Sequence, residues 1–244
     1  MSLDVVDLRN FYETGPGLVA RRLIRKRLRA MWPDVGGFSV MGLGYATPYL
    51  RLFQAEAVRV FAVMPAQIGV LRWPSDEPNA VTLCDETLLP LPDRSIDRVV
   101  LIHAVEHSEA LHPMLREVWR VLTDDGRLIV VTPNRRGIWA RLERTPFGQG
   151  RPFSEGQIGR LLRDAMFTPV RTEGALFVPP FRSRMLLSTG PVWERLFRRW
   201  LHIFAGVMLT EATKQVYAGL PTPARARRLR VTVPAGAAAA RTGS

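Results

Sequence analysis

Cysteine is almost missing from this chain. Cys84 is the only one in 244 residues, which excludes an intrachain disulfide and suits a reducing, cytoplasmic compartment. Long apolar runs are missing too. Nothing approaches the roughly 18–20 residues needed to span a bilayer, so no transmembrane segment is expected. The start, MSLDVVDLRNF, lacks the basic head and apolar core of a signal peptide. Lysine is scarce, with only Lys26 and Lys214, so nearly all of the positive charge is arginine. Histidine is scarce as well, and three of the four fall at 103, 107 and 112.

What is present is ordinary for a globular protein: 47% apolar and 23% charged residues, in a length that suits one well-packed domain. The net charge of +12 is unevenly spread. Residues 1–29 carry seven basic and three acidic side chains, residues 30–176 sixteen and seventeen, and residues 177–244 eleven and two. The centre is therefore neutral and both ends are basic. GC-rich codon usage with solvated helix faces explains this without function. Attraction to nucleic acid, an anionic membrane surface or an acidic partner protein is the sharper alternative.

Periodicity divides the chain into a basic helical segment (1–35), an α/β domain (36–220) and a Pro/Ala/Arg/Gly tail (221–244) expected to be disordered. The segment 18–32 reads as an amphipathic helix with Leu18, Leu23, Ile24, Leu28 and Met31 on one stripe. Packing of that stripe on a sheet edge is the first reading, and a membrane-surface helix the second. Strands are expected at 38–41, 57–63, 80–84, 98–102, 127–132, 169–178 and 205–217. Helices are expected at 47–55, 66–71, 111–122, 154–166 and 184–204, with Ser154 as an N-cap. Asp124-Asp125-Gly126 reads as a helix stop and turn, with Gly126 suited to positive φ. Strands alternating with helices imply right-handed crossovers and a ligand site at the carboxyl ends of the strands.

The runs CDETLLPLPDRSIDRVV, HAVEHSEAL and LREVWRVLTDDGRLIVVTPN within 84–134 closely resemble the middle of class I S-adenosylmethionine (SAM) methyltransferases. The group containing quinone-biosynthesis C-methyltransferases is nearest in pattern. The resemblance implies a Rossmann-like α/β fold, mostly parallel and seven-stranded, with an antiparallel edge strand. It also implies SAM as cofactor and methyl transfer to an acceptor, a small molecule being the first expectation. A methyltransferase fold kept only for binding or regulation is the rival.

By the same resemblance, a D-x-G-x-G-x-G loop follows the first strand. The matching run is placed at Val40 to Ala46, with Gly42, Leu43, Gly44 and Ala46 against the cofactor and valine where the leading acid stands. Family members end strand two with an acid for the ribose hydroxyls, and that position falls on Met64. Asp85 matches the acid that meets the adenine amine, with Glu86 beside it; capping of a turn is the alternative for Asp85. His103 opens a cluster with Glu106 and His107 where the methyl group should project. A structural pair supporting the cofactor loop, a general base at His103 or His107, and a metal site are all open, taken in that order; no metal is assigned. Substrate contacts would come from Phe11-Tyr12-Glu13-Thr14 and the arginine-rich run 135–153.

Overall fold

The computed structural model describes residues 4–177 and 205–216. The expected basic helix 184–204 and the tail 221–244 lie outside them.

Asp4 caps the first helix, α1 (Val5–Glu13), by accepting from Val6 N, and Thr14 caps α2 (Gly15–Met31) by accepting from Gly17 N. Pro16 occupies the first turn of α2, where its missing N–H costs nothing. Ala20, Leu23, Ile24, Leu28 and Met31 form the buried stripe of α2. Leu18 is not part of it and stays exposed, because the stripe drifts toward Gly17 at that end. The stripe packs on the sheet, so the apolar face a membrane-surface helix would need is already covered.

The strands are β1 (Ser39–Gly44), β2 (Arg59–Pro65), β3 (Val81–Cys84), β4 (Ile96–Ile102), β5 (Leu122–Pro133), β6 (Phe167–Ala175) and β7 (Val207–Lys214). They form one seven-stranded sheet in the order β3-β2-β1-β4-β5-β7-β6. Pairings from β3 to β5 are parallel, and β7 runs antiparallel to both β5 and β6. The antiparallel strand expected at the edge thus sits one place in from it. Between the strands lie α3 (Thr47–Leu50), α4 (Leu111–Val121) and α5 (Glu155–Asp164).

Strand alternation builds the two cores. Val40, Ala62, Met64, Val100, Ile102 and Ile129 face α1, α2 and α3. Met41, Leu43, Val63, Val99, Leu101 and Leu128 face α4 and α5. The helical segment at the N-terminus shares the first of these cores rather than standing apart. Ser154 and Gln157 close a reciprocal capping box at the start of α5.

Three local readings are corrected. The expected helix at 66–71 is a turn that leaves through Gly69 at φ +90°. The helix at 47–55 is four residues long before it loosens into turns. Gly126 does not have positive φ, since β5 begins directly at Leu122 after α4. It is glycine for space: a Cβ there would lie 2.7 Å from Thr123 O.

Candidate cofactor cleft

The turn after β1 is where the cofactor loop was expected. Gly44 takes φ +86°, and its missing Cβ would meet Ile102 O at 2.3 Å. Tyr45 N donates to the same carbonyl at 2.8 Å. Gly42 lies inside β1, where a Cβ would be 2.5 Å from Ala46 Cβ. Both glycines are therefore required by the chain's own packing, before any ligand is considered. This also shifts the motif. With its first glycine at the turn, on Gly44, the acid position falls on Gly42 rather than Val40, and the later glycine positions fall on Ala46 and Pro48.

Helix α1 lies across this turn. Val5 N donates to Ile68 O at one end of the helix. At the other, Tyr12 stacks on Tyr45 with ring centroids 5.8 Å apart, and its hydroxyl lies 2.8 Å from His103 Nε2. Tyr49 donates to the Tyr12 hydroxyl at 2.8 Å. Burial raises the pKa of all three tyrosines, Tyr45 to about 12, so none ionises near neutrality. Ala46 is fully buried beneath this cover, and Leu43 is fully buried on the other face of the sheet.

An open cleft of about 510 Å³ lies beside the turn, at the carboxyl ends of β2, β3 and β4. Pro65, Gln67 and Ile68 line it after β2, Glu86 after β3, Ala104 and Glu106 to Glu109 after β4, and Gln149 to Arg151 opposite. Gly150, at φ +103°, lets the last segment close on Glu106 and His107. Glu86 is buried, its Oε1 accepts from Ser108 Oγ, and desolvation raises its pKa.

Of the residues expected to contact cofactor, Glu86 alone lines the cleft. Asp85 is exposed beside it, and its Oδ1 accepts from both Thr87 N and Thr87 Oγ1 at 2.8 Å, the turn-capping alternative. Those bonds lower its pKa. Met64 is not on the wall. It is 1% exposed and points into the core beneath α1 and α2, because strand alternation sends it away from the cleft. Gly42, Leu43, Gly44 and Ala46 do not line the cleft either, for the packing reasons given.

His103 is fully buried with φ +52°, between Tyr12 and Phe147. Its Nδ1 is 3.2 Å from Glu106 Oε1 but not aligned for a hydrogen bond. Having no open side, it can position neighbours but cannot reach a substrate. His107 does line the cleft, and desolvation lowers its pKa; Glu106 opposes that shift and His103 adds to it. Its imidazole is therefore neutral at physiological pH. The sequence reading missed Gln67 and Ile68, which no motif marks, and the closure by Tyr12 and Tyr45, which joins residues remote in the chain.

S-adenosylmethionine fits this arrangement at its nucleoside end, where a cleft with a buried carboxylate offers an acceptor for hydroxyl or amine donors. At the methionine end the turn's contacts are spent on Ile102, and α1 covers it.

The fold is a mostly parallel α/β sheet with an open cleft at the carboxyl ends of its strands. Residues 40–130 match the methyltransferase domain family. A probable S-adenosylmethionine-dependent methyltransferase of Mycobacterium tuberculosis is 34% identical over 113 residues, 46% of this chain and 40% of that protein. The chain thus matches less than half the length of that curated relative. A Thermotoga maritima SAM-dependent methyltransferase, described as a possible histamine N-methyltransferase, superposes with a TM-score of 0.60 at 18% identity, covering 86% of this chain and 96% of that one. Burkholderia thailandensis 1,6-didemethyltoxoflavin-N1-methyltransferase, solved with bound 1,6-didemethyltoxoflavin and S-adenosylhomocysteine, gives a TM-score of 0.53 at 19% identity, with 79% of this chain and 76% of that one covered. Residues 40–130 thus match a methyltransferase domain, and the fold is the one seen in SAM-dependent methyltransferases.

Proposed function

We propose that this chain is a SAM-dependent methyltransferase acting on a small-molecule acceptor, with the cofactor's nucleoside in the cleft at the ends of β2–β4. The supporting observation is Glu86, a buried carboxylate on the wall of that cleft. In this reading Glu86 replaces the missing acid of β2 as acceptor for the ribose hydroxyls, and Asp85 meets the adenine amine at the rim. Ile68 supplies an apolar wall. Glu86, Glu106 and Glu109 outnumber Arg151 among the charged groups of the lining, a field that suits a sulfonium cation. When bound, the cofactor supplies an electrophilic methyl group. The chain supplies the orientation of donor and acceptor, from which most of the rate gain in such a displacement comes.

A second reading, a methyltransferase fold retained for binding or regulation, draws on Gly44 being the one motif glycine at the turn and on the closure by Tyr12 and Tyr45. Calorimetry with SAM and S-adenosylhomocysteine separates the two. The enzyme reading expects both to bind, and Glu86→Gln to weaken them by roughly ten- to a hundred-fold, the worth of a hydrogen bond to a charged group. Absence of binding by either ligand makes the second reading correct. Equal affinity in Glu86→Gln moves the ribose elsewhere.

A further inference from the structure

Among the described residues, five buried side-chain polar atoms have no hydrogen-bond partner, and three of them belong to residues of one turn: His103 Nδ1, Glu106 Oε2 and His107 Nε2. An orphaned buried polar atom costs about 1–3 kcal/mol, so three together call for a missing partner. His103 and Glu106 are more than nine-tenths buried, and one ligand atom from each of the three residues lies within 4.8 Å of the others. That partner must satisfy two imidazole nitrogens and a carboxylate at once. A second donor hydrogen would suit one of them; a cation suits all three.

We propose that His103, Glu106 and His107 form a binding site for a Zn2+-type divalent transition ion. Two imidazoles and a carboxylate are the donor set such ions prefer, while calcium and magnesium take mainly oxygen. Ligands about 2.0–2.1 Å from a tetrahedral zinc lie roughly 3.3 Å apart; His103 Nδ1 and Glu106 Oε1 are already at 3.2 Å, and modest rotation of the half-buried His107 completes the site. The outer contacts are already built. With the proton on His103 Nε2, that nitrogen donates to the Tyr12 oxygen, and the Nδ1 lone pair faces Glu106. A ligating histidine commonly has such an outer acceptor. The left-handed turn at His103 brings the three side chains together from sequence positions i, i+3 and i+4 without a helix. Glu106 and His107 both line the cleft, so the remaining coordination position opens toward it and would take an oxygen or nitrogen of the acceptor. The site does not depend on SAM being the cofactor.

The test is a titration of chelator-stripped full-length protein with Co2+ in the absence of SAM, followed by visible absorption. One equivalent should bind with the intense ligand-field bands of a low-coordinate site, and Zn2+ should displace it. His107→Ala and Glu106→Gln, each checked for fold by circular dichroism, should abolish the bands. Tyr12→Phe should weaken binding by about ten- to a hundred-fold, the usual cost of losing an outer partner. Changing the exposed His112 to Ala should have no effect. Weak octahedral-type spectra, or bands unchanged in His107→Ala and Glu106→Gln, overturn the proposal.

Discussion

Gly44 carries two constraints in one residue: a φ of +86° and a carbonyl oxygen 2.3 Å from where a Cβ would stand. Gly44→Ala should therefore destabilise the whole fold by about 3 kcal/mol or more, combining left-handed strain with displacement of the β4 backbone. Urea unfolding measures this, and a loss below about 1 kcal/mol would mean the turn relaxes freely. Met64→Asp follows similar logic. A carboxylate in the ribose position would tighten cofactor binding, but here it would be buried among Ala62, Ile102 and the α2 stripe. The expected result is a loss of about 3–5 kcal/mol with no gain in SAM affinity. His107 adds a pH dependence. Its folded-state pKa is depressed, so the native state resists a proton that the unfolded chain accepts near pH 6.5. Stability should fall as pH drops below that value, until the depressed folded pKa is passed. His107→Gln should flatten this slope, and denaturation midpoints at a series of pH values would report it.

At the scale of elements, the sheet's antiparallel end is tied to the helical layer through one buried acid. Glu211 on β7 is fully buried, accepting from Trp32 Nε1, Arg127 and Arg171 at 2.9, 3.2 and 2.7 Å. Arg171 also donates to Met31 O, the last residue of α2. Removing this acid leaves buried Trp32 Nε1 without its acceptor while water reaches both half-exposed guanidinium groups, so Glu211→Ala should cost about 1–3 kcal/mol. A cost near zero would show that water replaces the carboxylate. Helix α5 offers a smaller and more local test. Ser154→Ala breaks its capping box and should cost about 1 kcal/mol by thermal or urea unfolding, without altering the cleft.

For the whole molecule, the uneven charge leads to a prediction of its own. Because the apolar stripe of α2 is buried on the sheet, any attraction of α2 to nucleic acid or anionic lipid must be electrostatic. Binding to RNA, DNA or anionic vesicles should then fall steeply with added salt through release of counterions. No binding at low salt leaves codon usage as the account of the arginines. No helix among the described residues is long and apolar enough to cross a membrane.

The alternating apolar strands from Val99 to Val131 and the amphipathic stripes of α2 and α4 specified the sheet and its two covering layers, because burial periodicity is a local property of sequence. Ser154 with Gln157 was readable for the same reason. Whether a motif position faces ligand or core is not local. Met64 and Gly42 occupy the expected places along their strands, yet the pleat and the position of α3 turn them inward. His103, Glu106 and His107 meet within one local turn, whereas the closure of the β1 turn by Tyr12, and its contact with His103, depend on a helix near the start of the chain reaching a turn about 90 residues later. Contacts of that range exist only once the chain has folded, so tertiary structure alone decided which of the candidate residues line the cleft.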